Sequence, residues 1–220
     1  MPQLPIDQNA DATAVAQDSL GEGDTVSTAL CLVAGTLIGT PDGKVLVESL
    51  QPGDMVLTHD GGPQPLRWIG NRTVLAEGDQ APIRIAADTF GDHRTLMVAP
   101  LHRILIRDSL SELLFGEREV LVTAKHLLND RTVTQKTGGM VTYYHLLFDE
   151  HQVVFSEDMP TESMLPGPQL GDGLEQAAQD ELVSIFPDFN PVTGTGYSPS
   201  ARRTLKQYET LVLMSGAMAA

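Results

Sequence analysis

One cysteine and six histidines carry most of the reactive chemistry in this chain of 220 residues. Cys31 sits in Leu30-Cys31-Leu32-Val33-Ala34-Gly35-Thr36, where a polar stretch gives way to apolar residues. A thiol acts as a nucleophile through its thiolate, and with an ordinary pKa of about 8.5 it needs a base or a cation beside it at neutral pH. A lone sulfur forms no intrachain disulfide and builds no tetrahedral thiolate zinc site. Among apolar neighbours it reads first as an inert core residue. Imidazole is the natural partner, because an unperturbed pKa of about 6.5 suits either acid or base duty.

His102 stands between Leu101 and Arg103 at the mouth of the apolar run Ile104 to Ile106. His145 lies in Tyr143 to Phe148, where strand alternation puts it on the face of Tyr143 and Leu147, a setting equally suited to a hydrogen-bonded core histidine. His151 with Asp149 offers a metal half-site or a turn anchor, and the anchor is the better fit. His59, His93 and His126 have no ordered partners and read as surface or locally bonded residues. Asp42 and Asp54 belong to turns and not to a carboxylate dyad.

These groups must be positioned by short strands. Runs of strand length recur at Cys31 to Val33, Thr36 to Thr40, Lys44 to Val47, Met55 to His59, Pro65 to Ile69, Val74, Ile83 to Ala86 and Thr95 to Val98. Others follow at Arg103 to Ile106, Val120 to Thr123, Thr142 to Phe148 and Gln152 to Ser156, and Pro41-Asp42-Gly43 makes a turn. A mostly β body over 30–164 is expected. Gly53-Asp54-Met55-Val56-Leu57-Thr58 is loosely repeated from Gly116 to Thr123, a match short enough to be coincidence.

Two helices are expected in an extension over 165–220. Asp172 and Glu175 form a capping-box start for a stripe of Leu174, Ala177, Ala178, Leu182, Ile185 and Phe186, which Pro187 ends. Ser198-Pro199 opens a second helix running to about Leu213, with Ala201, Leu205, Tyr208 and Leu211 inward. Both are expected to pack on the β body.

Composition narrows the partners. Fourteen Lys plus Arg against 29 Asp plus Glu give a formal charge of -15, which opposes binding to nucleic acid or to an anionic membrane surface. Hydrophobic residues make up 41% of the chain, enough for a substantial core. No apolar run approaches the ~20 residues that span a bilayer, so a soluble protein is expected. Residues 1–29 read as a flexible acidic leader without the features of a secretory signal, and the compartment stays open.

The order of motifs resembles the Hint family, the autoprocessing domains of Hedgehog proteins and inteins, and is nearest to stand-alone bacterial Hint-type domains. The likeness is carried by Cys31, Gly35-Thr36, Leu50-Gln51-Pro52-Gly53-Asp54-Met55-Val56, Val98-Ala99-Pro100-Leu101-His102, Tyr144-His145-Leu146 and Asp149-Glu150-His151. It implies a compact β fold in which Cys31 attacks the Leu30 carbonyl carbon through a five-membered ring, turning the amide into a thioester. It further implies that His102 helps the Cys31 nitrogen depart, while His145 accepts the thiol proton or steadies the thiolate. Asp149 and His151 would support the site. No cofactor or metal is called for.

Three departures limit what the resemblance implies. The threonine expected three residues before the block histidine is Ala99, which removes a hydroxyl and should slow the first step. Pro160-Thr161-Glu162-Ser163-Met164 lacks the His-Asn pair that ends an intein, so splicing is not expected. Trp68-Ile69-Gly70-Asn71-Arg72 lacks the aspartate of Hedgehog proteins, so transfer to a sterol is not expected. The reading that follows is cleavage between Leu30 and Cys31, with the leader as substrate and water, a thiol or an amine as acceptor. Two alternatives stand beside it: an inactive Hint fold serving as an interaction or structural module, and, ranked lower, a cysteine hydrolase acting on an external substrate. Oligomeric state is not readable.

Overall fold

A computed structural model describes residues 31–167 and 176–217. The leader, Leu30 and the expected capping pair Asp172 and Glu175 lie outside the described residues. Fourteen strands form two antiparallel sheets among the described residues. The first, of six strands, runs in the order β11 (Val133–Gln135), β7 (Ile83–Ile85), β8 (Leu96–Val98), β1 (Leu32–Val33), β12 (Met140–Leu147) and β6 (Trp68–Leu75). The second contains β10 (Glu119–Thr123), β9 (Arg103–Arg107), β14 (Met159–Glu162), β13 (Val153–Ser156), β2 (Leu37–Thr40) and β3 (Gly43–Leu46). Strand β4 (Met55–Thr58) pairs with β13 and with β5 (Gly62–Pro65).

The main core holds Leu32, Ile38, Val56, Ile83, Val98, Ile104, Val120, Leu146 and Phe148. Strand alternation sends the neighbours of these residues the other way. On β12, Leu146 joins the main core, whereas Val141 and Tyr143 join a separate small cluster with Cys31, Ala76 and Ala99. Leu147 joins a third cluster with Trp68, Met164, Leu182 and Phe189. The six-stranded sheet therefore has an inner face that is main core and an outer face that carries the cysteine.

Most expected strands are present within a residue or two of their predicted limits. Pro65 to Ile69 is not one strand: β5 ends at Pro65 and β6 begins at Trp68, taking in Val74. Strands β5, β11 and β14 and the short helix α1 (Ser109–Phe115) were not expected. Helix α1 is set by its ends, since Asp108 accepts from the Leu110 N–H at 2.7 Å and Gly116 closes it at φ 73°. The two segments of the loose repeat both enter strands from a glycine at positive φ, Gly53 at 98° and Gly116 at 73°.

The extension contains α2 (Gln176–Ile185) and α3 (Gln207–Ala217). In α2, Leu182 is buried and Ala178, Ile185 and Phe186 pack beside it, but Ala177 is exposed. The second helix begins nine residues later than Ser198 because that segment is held in other company. Ser198 Oγ accepts from the His151 N–H at 2.6 Å, the Ala201 N–H donates to His151 Nδ1 at 2.9 Å, and Thr204 bridges Leu121 in parallel. The helix starts instead where Glu209 accepts from the Lys206 N–H at 2.8 Å, half of a capping box. Its buried residues are Thr210 and Leu213, while Tyr208 and Leu211 are exposed and Leu205 is buried ahead of it. No helix among the described residues is long and apolar enough to cross a membrane.

Candidate active site

Cys31 directly precedes β1, which lies between β8 and β12. Register with β12 pairs Leu32 with Tyr144, so Leu32 faces the main core and Cys31 turns to the outer face. There its sulfur lies 3.2 Å from Nε2 and 3.4 Å from Nδ1 of His145. Both side chains are buried. Which ring nitrogen holds the proton decides whether the ring donates to the sulfur or accepts from the thiol, and either nitrogen is within reach.

Burial pushes the Cys31 thiol well above its ordinary pKa, and the Arg72 guanidinium draws it partly back. The resting sulfur is therefore a neutral thiol at pH 7. Arg72 pairs with Tyr143 across β6 and β12, and the Tyr143 phenol, which donates to the Gln80 carbonyl at 2.7 Å, is pushed up by burial and then by the nearby Cys31.

His102 reaches the same neighbourhood through backbone. The Ala99 N–H donates to the Cys31 carbonyl at 3.0 Å, and the His102 N–H donates to the Ala99 carbonyl at 3.0 Å, closing a tight turn after β8. Its own carbonyl accepts from Ala124 at 2.9 Å, and the side chain is buried. Ala99 is fully buried in the cluster that contains Cys31. Leu30, the residue expected on the other side of the cleaved bond, lies outside the described residues.

Asp149 and His151 are not beside one another's ligand atoms. Asp149 pairs with Arg67 at 3.1 Å on the surface. His151 is the expected anchor: its Nε2 lies 3.2 Å from the Ser163 carbonyl and 3.4 Å from Glu162, while Nδ1 takes the Ala201 N–H. Among the three remaining histidines, two have specific partners that the sequence does not reveal. His93 is buried, accepting from the Phe90 N–H and facing the Arg94 carbonyl, and His59 meets Glu119 at 3.1 Å. His59, Asp60 and Glu119 come close enough to surround a cation, but the Arg202 guanidinium already binds Asp60 at 2.5 Å and Glu119 at 2.9 Å. That cluster ties the extension to the β body.

Sequence reasoning missed Arg72, Gly70 and Trp68 as neighbours of the site. Gly70 is the cross-strand partner of His145, and a Cβ there would lie 2.1 Å from the Trp68 ring. The indole thus folds back over Gly70 toward His145, with ring centroids 6.5 Å apart. The glycine is required by this close approach. Register makes these residues neighbours, and register is not visible in an isolated strand pattern.

The chain belongs to the Hint domain family, whose profile matches residues 30–168. This makes it a domain of the general autoprocessing type, with the β body matched and the two helices described in the extension beyond the match. Among solved structures it is similar to a bacterial intein-like domain from Clostridium thermocellum, at 16% identity and a TM-score of 0.43, covering 61% of this chain and 98% of that one. It is also similar to the MchDnaB-1 intein, at 14% identity and a TM-score of 0.41, covering 60% and 98% respectively. The TvoVMA intein is a further likeness, at 12% identity and a TM-score of 0.45, covering 60% and 96%. A comparison with curated proteins finds no match.

Proposed function

We propose that the chain cleaves its own backbone between Leu30 and Cys31 by an N-to-S acyl shift, without splicing. The observation that carries this reading is the Cys31 sulfur 3.2 Å from an imidazole nitrogen of His145 in a chain of the Hint family. The thiol proton passes to His145 as sulfur bonds to the Leu30 carbonyl carbon. The tetrahedral centre collapses with rupture of the carbon to nitrogen bond, and the departing Cys31 nitrogen takes a proton, for which His102 is the assigned donor. The product is a thioester joining Leu30 to the Cys31 sulfur and a free α-amino group on Cys31. Attack by water, a thiol or an amine releases residues 1–30, the leader being the substrate.

A raised thiol pKa suits a single intramolecular event. The neutral sulfur reacts only slowly with external electrophiles, and proximity offsets its small thiolate fraction, since well-oriented intramolecular attack is worth up to ~10⁵–10⁸ M in effective concentration. The same burial argues against a hydrolase acting on external substrates. A cavity of about 330 Å³ beside the sheet is lined by Val33, Ala34, Ala76, Met97 and Thr142 and not by Cys31.

A second reading is a Hint domain that no longer cleaves and serves as an interaction or structural module. It draws on Ala99, which presents a methyl group where a hydroxyl is expected, and on the cost of ionising a buried thiol. Intact mass separates the two. Purified chain held with excess thiol is expected to lose residues 1–30 and leave a fragment beginning at Cys31. A full-length mass that stays constant through prolonged incubation removes the cleavage reading.

A further inference from the structure

The matched family region ends at residue 168, yet the next helix reaches back to the cysteine site. Glu181 in α2 accepts a hydrogen bond from the Trp68 indole N–H at 2.9 Å. The indole is buried between that helix and the sheet, packed with Leu147, Met164, Leu182 and Phe189. Its ring lies so close over Gly70 that no side chain fits there, and Gly70 is the residue directly opposite His145. The indole and the His145 ring are 6.5 Å apart between centroids and inclined by 35°, and His145 in turn touches the Cys31 sulfur at 3.2 Å. One continuous line of contact therefore runs from the extension to the thiol.

We infer that α2 is a working part of the cysteine site: Glu181 fixes the Trp68 indole, and Trp68 is a positioning residue that holds the His145 ring against Cys31. This rests on the reading of Cys31 and His145 as the reacting pair. Two physical points favour it. A side chain as short as glycine at position 70 leaves the outer face of β6 open beside His145, and the indole is what fills that space. An imidazole not braced on that side could turn about its χ angles and lose the sulfur, because the contact depends on ring orientation. The polar bond to Glu181 then sets which way the indole edge points, which packing with apolar neighbours alone would not do.

The chain has a single cysteine, so the rate of alkylation by a small iodoacetamide reagent reads Cys31 alone. Other charged or titratable groups beside it are Arg72 from β6 and Tyr143 and His145 from β12, with His102 in the turn after β8 that is joined to the Cys31 carbonyl through Ala99. The test is a double-mutant cycle on the full chain, with alkylation rates followed from pH 6 to 10 and thermal midpoints recorded beside them. Glu181→Ala and Trp68→Phe are each expected to change the alkylation profile by about threefold or more, and Glu181→Gln, which keeps an acceptor, to restore it. In a His145→Ala background, or His145→Gln should the alanine variant unfold, Glu181→Ala is expected to have no further effect. An equal effect in both backgrounds, or no effect in either, overturns the inference. If the cycle couples as expected while no chain ever sheds residues 1–30, the positioning holds and the cleavage reading fails. If cleavage occurs but the cycle is additive, the reverse is true.

Discussion

The two faces of the six-stranded sheet are made by alternate residues of the same strands, yet they do different work. On the inner face Leu32, Val98 and Leu146 belong to the main core. On the outer face Cys31, Ala99 and Tyr143 form a small cluster of their own, with His145 against the sulfur and Trp68 beyond it. The inner face supplies stability because it removes large apolar side chains from water. The outer face buries a thiol, an imidazole and a phenol, groups whose desolvation has to be offset by hydrogen bonds such as that of Tyr143 to Gln80. A one-residue slip in β1 would exchange the two sets, so register between β1 and β12 is the condition for any chemistry here.

Substitutions on each face should separate these roles. Cys31→Ala is expected to abolish loss of residues 1–30 entirely while lowering stability by only about 1 kcal/mol, measured by intact mass and by denaturant unfolding. Leu146→Ala, on the inner face of the same pair of strands, is expected to lower the free energy of unfolding by about 2 to 5 kcal/mol, measured by urea titration. Gly70→Ala lies between the two. Its Cβ would meet the Trp68 ring at 2.1 Å, so displacement of the indole is expected to lower stability by about 1 to 3 kcal/mol and to alter Cys31 alkylation as well.

Proton linkage gives a further separation. Because burial raises the Cys31 pKa, the folded chain keeps its thiol proton where the unfolded chain has lost it. Stability contributed by the neutral thiol is complete below about pH 8.5 and is lost as pH rises toward the folded pKa, by up to about 1.4 kcal/mol per pH unit. Alkylation of the folded chain should rise about tenfold per pH unit through the same range, and Cys31→Ala should remove the alkaline loss of stability. The smallest effect is expected at Asp149, whose surface pair with Arg67 should be worth about 0.2 to 1 kcal/mol. Asp149→Ala should leave cleavage unchanged, and a loss of cleavage would give that carboxylate a supporting role its position does not suggest.

Much of the β body is legible in local pattern, because apolar runs between turn residues record strands that are half buried. Strand β12 is the clearest case, with Tyr143, His145 and Leu147 alternating to one face as expected. Proline hid two strands. Pro63 and Pro65 are tolerated in β5 because among the described residues it pairs only with β4, and Pro160 sits in β14 although that strand lies between β9 and β13. Helix α1 has Leu110, Leu113 and Leu114 at helical spacing, but its seven residues are too few for a stripe to be told from a short apolar run, and its clearer marks are its capping residues. Ser198-Pro199 misleads in the opposite way. The signal for a helix start is real, but His151 takes the serine hydroxyl as a partner and the chain runs on past Leu121 before α3 begins.

At the site, Cys31 and His145 are legible as a pair only through the family resemblance, since 114 positions separate them. Arg72 and Gly70 become neighbours of that pair through the pairing of β6 with β12, and Trp68 through the fold of its ring across Gly70. Neither relation leaves a mark in the order of residues. Asp149 and His151 find separate partners, Arg67 and the Ser163 carbonyl, which fits the anchor favoured from the sequence for His151 and not the metal half-site.

The most direct measurement is a time course of intact mass for the purified chain in excess thiol at pH 8, run beside Cys31→Ala. Release of residues 1–30 from the parent chain, a new N-terminus at Cys31 and an unchanged mass for the variant are the predicted results. Equal cleavage in both proteins, or none in the parent, would contradict attack by the Cys31 sulfur on its own upstream peptide bond.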